Sequence, residues 1–384
     1  MIPAEFSAKV EAAMTRELWM AIGALVGGFL VLVLGGEALV RGASRLAVTA
    51  KVSPLVIGLT IVAFGTSAPE LAVSVQAALA GDSDIAVGNV VGSNIFNILF
   101  ILGLSALIVP LVVSSQLIRR DVPLMIGASL LIYLFCLDGN VARWEGAILF
   151  AGIVAYTIWC VRSSRRETAL IQAEYAQEML PPVAGAAGVW LQLALIVGGL
   201  ILLALGSKAL VYGAVEIAAY WGVSQLLIGL TIVSVGTSLP EVVTSIVAAC
   251  RGERDIAVGN VVGSNLFNLL CVLGLASCAA STGTQVSEAA IHFDIPVMIA
   301  VAVACLPIFF TGNLIARWEG GLFLFYYVVY TSFLVLDATN SRHATTFGAM
   351  IAVFALPLTF LTLLVGSWRA WKTQQRMAES PMAG

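Results

Sequence analysis

The sequence predicts an all-α polytopic membrane protein: two inverted-topology five-helix repeats followed by an eleventh transmembrane helix. Three observations carry this. The 384 residues are 60% hydrophobic and only 11% charged, with a mean hydropathy of +1.00, a balance that soluble domains of this size do not show. The segment Gly58 to Gly103 recurs without a gap 171 residues later, at Gly229 to Gly274, with thirty of forty-six positions identical. Unrelated apolar segments would share roughly a tenth, so the halves read as a duplication. Each half holds five apolar runs, an odd number, which sets the two in opposite orientations across the bilayer.

Residues 1 to 16 form a polar preamble. The first repeat, 18–161, has spans near Leu18 to Val48, Leu55 to Leu79, Ile85 to Val113, Val122 to Leu137 and Trp144 to Val161. Each is near the ~20 residues that cross the hydrocarbon, except the first, which is longer and interrupted by GGEALVRG. A segment rich in both charges, 162–187, connects the halves. The second repeat, 188–338, has spans near Trp190 to Ala219, Gln225 to Cys250, Ile256 to Cys278, Ile295 to Phe310 and Trp318 to Leu336. An extra run without a counterpart, 344–366, precedes a basic tail, 367–384. The likeness of the halves extends beyond the main block: RRDVPLMI (Arg119 to Ile126) matches HFDIPVMI (His292 to Ile299), and ARWEG recurs at Ala142 and Ala316.

Charge supports the inversion. Arg41, Arg45 and Lys51 correspond to Tyr212, Glu216 and Gly222, whereas GDSD at Gly81 to Asp84 corresponds to GERD at Gly252 to Asp255. With the amino terminus outside, fourteen of nineteen Lys and Arg fall on the cytoplasmic side, so the chain is predicted to lie in the cell (inner) membrane with its carboxyl terminus in the cytoplasm. No signal peptide is expected, because the first apolar run has no small-residue cleavage pattern. The six cysteines sit in apolar runs without a CxxC spacing and read as free buried thiols. With only His292 and His343, an HExxH metalloprotease is excluded; a GxSG serine motif and a GxGD aspartate motif are absent too, so an enzyme is not expected.

Chemistry concentrates in the repeated block. Each copy places a glutamate inside an apolar run, in GTSAPE (Gly65 to Glu70) and GTSLPE (Gly236 to Glu241). A carboxylate at membrane depth costs on the order of 3 kcal/mol, so two at equivalent places point to one shared ion site. On a helix Ser67, Glu70 and Ser74 share a face, with Thr66 one turn before Glu70; Thr237, Ser238, Glu241 and Ser245 repeat this. Pro69 and Pro240 interrupt the helical ladder at that turn and free backbone carbonyls. Hydroxyls, carboxylates and carbonyls are hard oxygen donors, a set for calcium or sodium rather than for a softer metal. The next span adds Asn89, Ser93 and Asn97, mirrored by Asn260, Ser264 and Asn268. Asn97 and Asn268 read as ligands or near-ligands, and Asn94 and Asn265, off the main stripe, as packing residues. Gly88 and Gly92, like Gly259 and Gly263, form a GxxxG face for close helix approach. Asp121 and Asp294 read as helix caps before a proline, Trp144 and Trp318 as interfacial anchors, and Glu37 and Lys208 as structural or gating residues.

GTSxPE followed by GNVVGSNxFN, twice, resembles the alpha repeats of the cation/calcium exchanger superfamily, in particular bacterial sodium/calcium antiporters. The resemblance covers about residues 18 to 338. It implies that the long first and sixth helices slide past the others to expose a mid-membrane site alternately. It also implies that Glu70 and Glu241 bind calcium and sodium in turn, and that Thr66 and Thr237 contribute carbonyls to calcium. Ser67, Ser93, Ser238 and Ser264 would serve sodium, Ala63 and Ser234 would offer carbonyls, and Asn97 and Asn268 would complete the centre. Some relatives carry an aspartate at the position of Asn268, and its absence here argues against potassium cotransport. The expected partners are calcium and sodium ions and the lipid bilayer, with no nucleic acid and no cofactor. A proton-coupled calcium exchanger is the nearest alternative, since protonation of the same glutamates could release calcium; a cation channel fits a dyad between inverted repeats less well.

Overall fold

The computed structural model describes residues 4–165, 186–310 and 313–339. The predicted eleventh span, the carboxyl-terminal tail and nearly all of the connecting segment lie outside the described residues. The chain is almost wholly helical, as apolar sequence in lipid must be, because only a helix satisfies its own backbone there. Helix α1 (Ala4–Ala50) starts within the polar preamble and runs on through the first span. It is followed by α2 (Pro54–Thr66), α3 (Ala68–Ala80), α4 (Ser83–Ile108), α5 (Val122–Cys136) and α6 (Arg143–Arg165). The second half repeats the order with α7 (Ala186–Tyr220), α8 (225–236), α9 (Leu239–Cys250), α10 (Arg254–Ala279), α11 (Ile295–Phe310) and α12 (Arg317–Ala338).

Seven of the described helices are long and apolar enough to cross a membrane, and α2 with α3 would make an eighth as one bent span. That pair is where the sequence predicted a single span. It bends by 47° at Ser67, because Pro69 cannot donate the amide that would carry the helix through the turn. In each half the helix regains order immediately before the glutamate, so Glu70 and Glu241 stand in the first turn of α3 and α9.

The two long helices cross face to face. Glycines at seven-residue spacing line the contact, Gly28, Gly35 and Gly42 on α1 against Gly199, Gly206 and Gly213 on α7. A Cβ at Gly28 would lie 2.5 Å from Leu210 N, and one at Gly199 would lie 2.7 Å from Leu39 N, so any larger residue would push the backbones apart. Progress from Gly28 to Gly42 meets α7 from Leu210 back to Gln192, which makes the pair antiparallel. Around the core, two-residue strands link the halves: β1 (Leu111–Val112) pairs with β4 (Leu314–Ile315), and β2 (Asn140–Val141) pairs with β3 (Thr284–Gln285), both antiparallel.

Two expectations change in the structure. Asp121 and Asp294 do not cap their helices; each carboxylate accepts instead from a tyrosine hydroxyl one helix away, Tyr156 and Tyr330, both at 3.1 Å. A buried carboxylate takes the strongest donor in reach, and the helix amides behind a π-helical turn already have carbonyl partners. The capping is done by the ARWEG glutamates, whose Oε2 atoms accept from Ala142 N at 2.8 Å and Ala316 N at 2.7 Å. Finally, all six cysteines are free, but Cys250 is exposed and Cys278 half-buried rather than buried.

Candidate ion-binding site

Helices α2, α3 and α4 of the first half meet α8, α9 and α10 of the second at the two glutamates. Both carboxylates are buried, and so are Ser67, Ser238, Ser93, Ser264, Asn97 and Asn268. The halves are stitched crosswise: Ser67 Oγ donates to Glu241 Oε1 at 3.1 Å, and Ser238 Oγ donates to Glu70 Oε1 at 2.8 Å. Ser238 Oγ also lies 3.3 Å from Ser93 Oγ. Residues from opposite halves, 168 and 174 positions apart, therefore share one buried polar centre.

Each carboxylate uses one oxygen in these bonds and keeps the other. Among the described residues Glu70 Oε2 and Glu241 Oε2 have no hydrogen-bond partner, and neither do Asn97 Oδ1, Asn268 Oδ1, Ser264 Oγ and Thr237 Oγ1. A buried polar atom left unpaired costs roughly 1–3 kcal/mol, and a bare carboxylate more, so these six oxygens are candidate donors to a cation. Every one is a hard oxygen donor, and two negative charges match one divalent ion or two monovalent ions. No group of three or more His, Cys, Asp or Glu side chains placed to hold a metal occurs among the described residues, so the donor set here is two carboxylates and neutral oxygens. The described residues thus fit calcium or sodium as cargo.

Around these donors the structure redistributes roles. Asn89 Nδ2 donates to Glu70 O at 3.2 Å and to Ser74 Oγ at 2.9 Å, and Asn260 Nδ2 donates to Glu241 O at 3.5 Å and Ser245 Oγ at 2.9 Å. These two asparagines, with Ser74 and Ser245, brace the glutamate-bearing helices against the following span rather than facing the centre. Thr66 Oγ1 sits between Val62 O at 3.1 Å and Asn260 Oδ1 at 3.2 Å. Ala63 O already accepts from Ser67 N at 3.0 Å. The carbonyl that Pro240 frees, Gly236 O, is taken by Ser207 Oγ of α7 at 2.6 Å. Sequence reasoning missed Ser207; its signal is a hydroxyl alone in an apolar run, one residue before Lys208. Just past the site both long spans widen into π-helical turns, starting at Asn97 and Asn268. Such turns offset backbone hydrogen bonds and recur at functional positions.

The sodium/calcium exchanger protein family matches residues 20–162 and 191–336, three quarters of the chain and both copies of this site. The chain belongs to that family. Within it, a protein provisionally named antiporter CaxA, from Alkalimonas amylolytica, is 44% identical over 283 residues, 73% of this chain and 86% of its own. The inner membrane protein YrbG of Escherichia coli is 37% identical over 289 residues, 74% of this chain and 87% of its own. Among solved structures the sodium-calcium exchanger NCX_Mj superposes with a TM-score of 0.70 at 29% identity, covering 82% of this chain and 98% of that one. Membership in the exchanger family makes this chain a membrane transporter of the antiporter kind, not an enzyme.

Proposed function

We propose that this exchanger-family protein is a secondary active antiporter that trades sodium for calcium at a mid-membrane two-glutamate site by alternating access. The observation that carries the reading is the crossed pair of bonds, Ser67 to Glu241 and Ser238 to Glu70, which puts two carboxylates from the two halves into one buried centre. Calcium would take Glu70 Oε2, Glu241 Oε2 and the carbonyls of Thr66 and Thr237. Sodium ions would use the same carboxylates with Ser67, Ser93, Ser238 and Ser264, with Ala63 and Ser234 offering carbonyls. Asn97 and Asn268 would complete the centre. Because both cargoes need the same carboxylates, binding of one displaces the other. An uncompensated charge pair resists burial, so only occupied states close, and that is what couples the two fluxes.

The access path follows from the two halves being inverted repeats, with the eleventh span outside the shared core. Gly58 of α2 is packed against α10, where a Cβ would meet Ile256 O at 3.0 Å, while its counterpart Gly229 has nothing within 4 Å among the described residues. The packed end carries Arg41, Arg45, Lys51, Arg251 and Arg254 and would face the cytoplasm of an inner membrane. The open end would then face outward, with the amino terminus. Relatives named as an antiporter, an inner membrane protein and a sodium-calcium exchanger support this assignment.

The test is calcium-45 uptake into proteoliposomes loaded with sodium, against matched vesicles loaded with choline, repeated under an imposed pH gradient. Uptake that requires internal sodium is expected. Uptake that ignores sodium and follows the pH gradient would make this a proton-coupled exchanger on the same site.

A further inference from the structure

An asparagine can offer a cation its oxygen only if its amide is held the right way round. Asn97 meets that condition through a residue on the other half. Its Nδ2 donates to Asn265 Oδ1 at 3.0 Å, which leaves Asn97 Oδ1 without a partner among the described residues. The orientation of Asn265 is itself fixed by two groups that can only accept. Its Nδ2 lies 3.4 Å from the backbone carbonyl of Asn94 and 3.5 Å from Met125 Sδ on α5. Flipping Asn265 would set its oxygen against a carbonyl and a thioether, and would turn a donor toward the Asn97 donor.

We propose that Asn265, held by Met125 and the Asn94 carbonyl, is a positioning residue that orients the Asn97 amide so that its oxygen faces the transported cation. Asn94 is the counterpart on the other arm: its Nδ2 donates to Met298 Sδ at 3.6 Å, and its Oδ1 is free to accept from Asn268. That last bond is not made here, since both amide atoms of Asn268 lack a partner among the described residues. One asparagine ligand is therefore locked and the other is not, so the two arms need not contribute equally to binding. Asn94 and Asn265 read from sequence as packing residues; the assignment to ion affinity comes from the direction of the amide bonds.

This inference rests on the proposed ion site, and the experiment separates the two. Sodium-driven calcium-45 exchange is measured for Glu70→Gln, Asn265→Leu, Asn265→Asp and Asn97→Asp, and for Asn97→Asp combined with Asn265→Leu. Asn265→Leu removes the acceptor at similar volume and is expected to raise the calcium concentration for half-maximal exchange about 3- to 10-fold, the worth of one buried hydrogen bond, with the maximal rate within about twofold. Asn265→Asp keeps an oxygen facing Asn97 and, when protonated, also a donor toward the Asn94 carbonyl, so it is expected to recover most of that loss; it also carries the test if Asn265→Leu does not yield monodisperse protein. A carboxylate at position 97 has no wrong way round, so adding Asn265→Leu to Asn97→Asp should raise the half-maximal concentration no further. The same fold-loss in both backgrounds, or an unchanged half-maximal concentration in folded Asn265→Leu, would overturn the positioning role. If Glu70→Gln exchanges normally, the ion site itself is misassigned, whereas loss in Glu70→Gln beside a silent Asn265→Leu rejects the relay alone.

Discussion

The two ends of the core are built from the same residues and packed differently. At one end Gly58, Gly259 and Gly263 bring α2 and α10 into backbone contact; a Cβ at Gly259 would lie 2.9 Å from Leu55 O, and one at Gly263 would lie 2.7 Å from Leu59 Cα. At the other end their counterparts Gly229, Gly88 and Gly92 have nothing within 4 Å among the described residues. The flanking residues follow: Ile256 is 0% exposed and Ile85 is 55% exposed, both in the identical DIAVGN context. Identical local sequence thus supports a closed seam and an open one. Two packings of one sequence, placed on either side of the proposed ion site, are what an alternating transporter requires.

The largest expected effect removes what the two ends share. Glu70→Gln or Glu241→Gln leaves one carboxylate to balance a buried divalent ion and should lower calcium-45 exchange by about 100-fold or more, since breaking a buried ion pair costs about 3–5 kcal/mol. Both variants should still fold, because Oε1 of each glutamate keeps an acceptor for its serine. Near-normal flux in either would sink the site.

The next effect is a pair of opposite signs. Gly263→Leu forces the closed seam open in this conformation and should cost about 1–3 kcal/mol of stability, read as a lower thermal midpoint. Gly92→Leu, its counterpart, meets open space and should leave the midpoint alone while lowering exchange about tenfold, because the reciprocal seam can no longer close. Equal behaviour of the two variants in both measurements would break the comparison.

Smaller effects sharpen it. Ser207→Ala strips the donor from Gly236 O and should lower the thermal stability by about 1 kcal/mol. Its counterpart in the first half is Gly36, which has no hydroxyl to lose, so that carbonyl bond belongs to one half only. The smallest effect concerns Glu37 of α1, which bridges Arg41, at 2.6 Å, and Arg251 at the closed end. The bridge lacks a mirror image, since Ala80 stands at the position matching Arg251. Partly exposed pairs contribute about 0–1 kcal/mol, so Arg251→Gln should change the exchange rate about twofold at low salt and less at high salt, checked by repeating the flux assay at two ionic strengths.

Much of this centre is legible in the chain itself. A carboxylate in an apolar run is costly wherever the run ends up, so Glu70 and Glu241 stand out by their residue type alone, and duplication pairs them. Ser67, Ser93, Ser238, Ser264, Asn97 and Asn268 recur at equivalent places in the two copies; Ser67, Ser238 and Ser93 hydrogen-bond at the glutamates, and Ser264, Asn97 and Asn268 are buried. Spacing is a weaker guide where a side chain can turn to either neighbour. Asn89 and Asn260 lie on the stripe yet point to Ser74 and Ser245. Asp121 stands just before its helix as a cap would, but its carboxylate accepts from the Tyr156 hydroxyl instead. Ser207 and Asn265 act on residues 29 and 168 positions away, and no periodicity within one helix encodes such a partner.

By itself the sequence determined that this chain is a multi-pass membrane protein, that one block of residues occurs twice, and which oxygens are candidates to face a cation. These follow from transfer cost and helical periodicity, which act residue by residue. The tertiary structure alone decided which seam is closed and which amide is locked. Those depend on the relative placement of the two halves, and a block such as DIAVGNVVGSN, identical in both, cannot say where they pack differently.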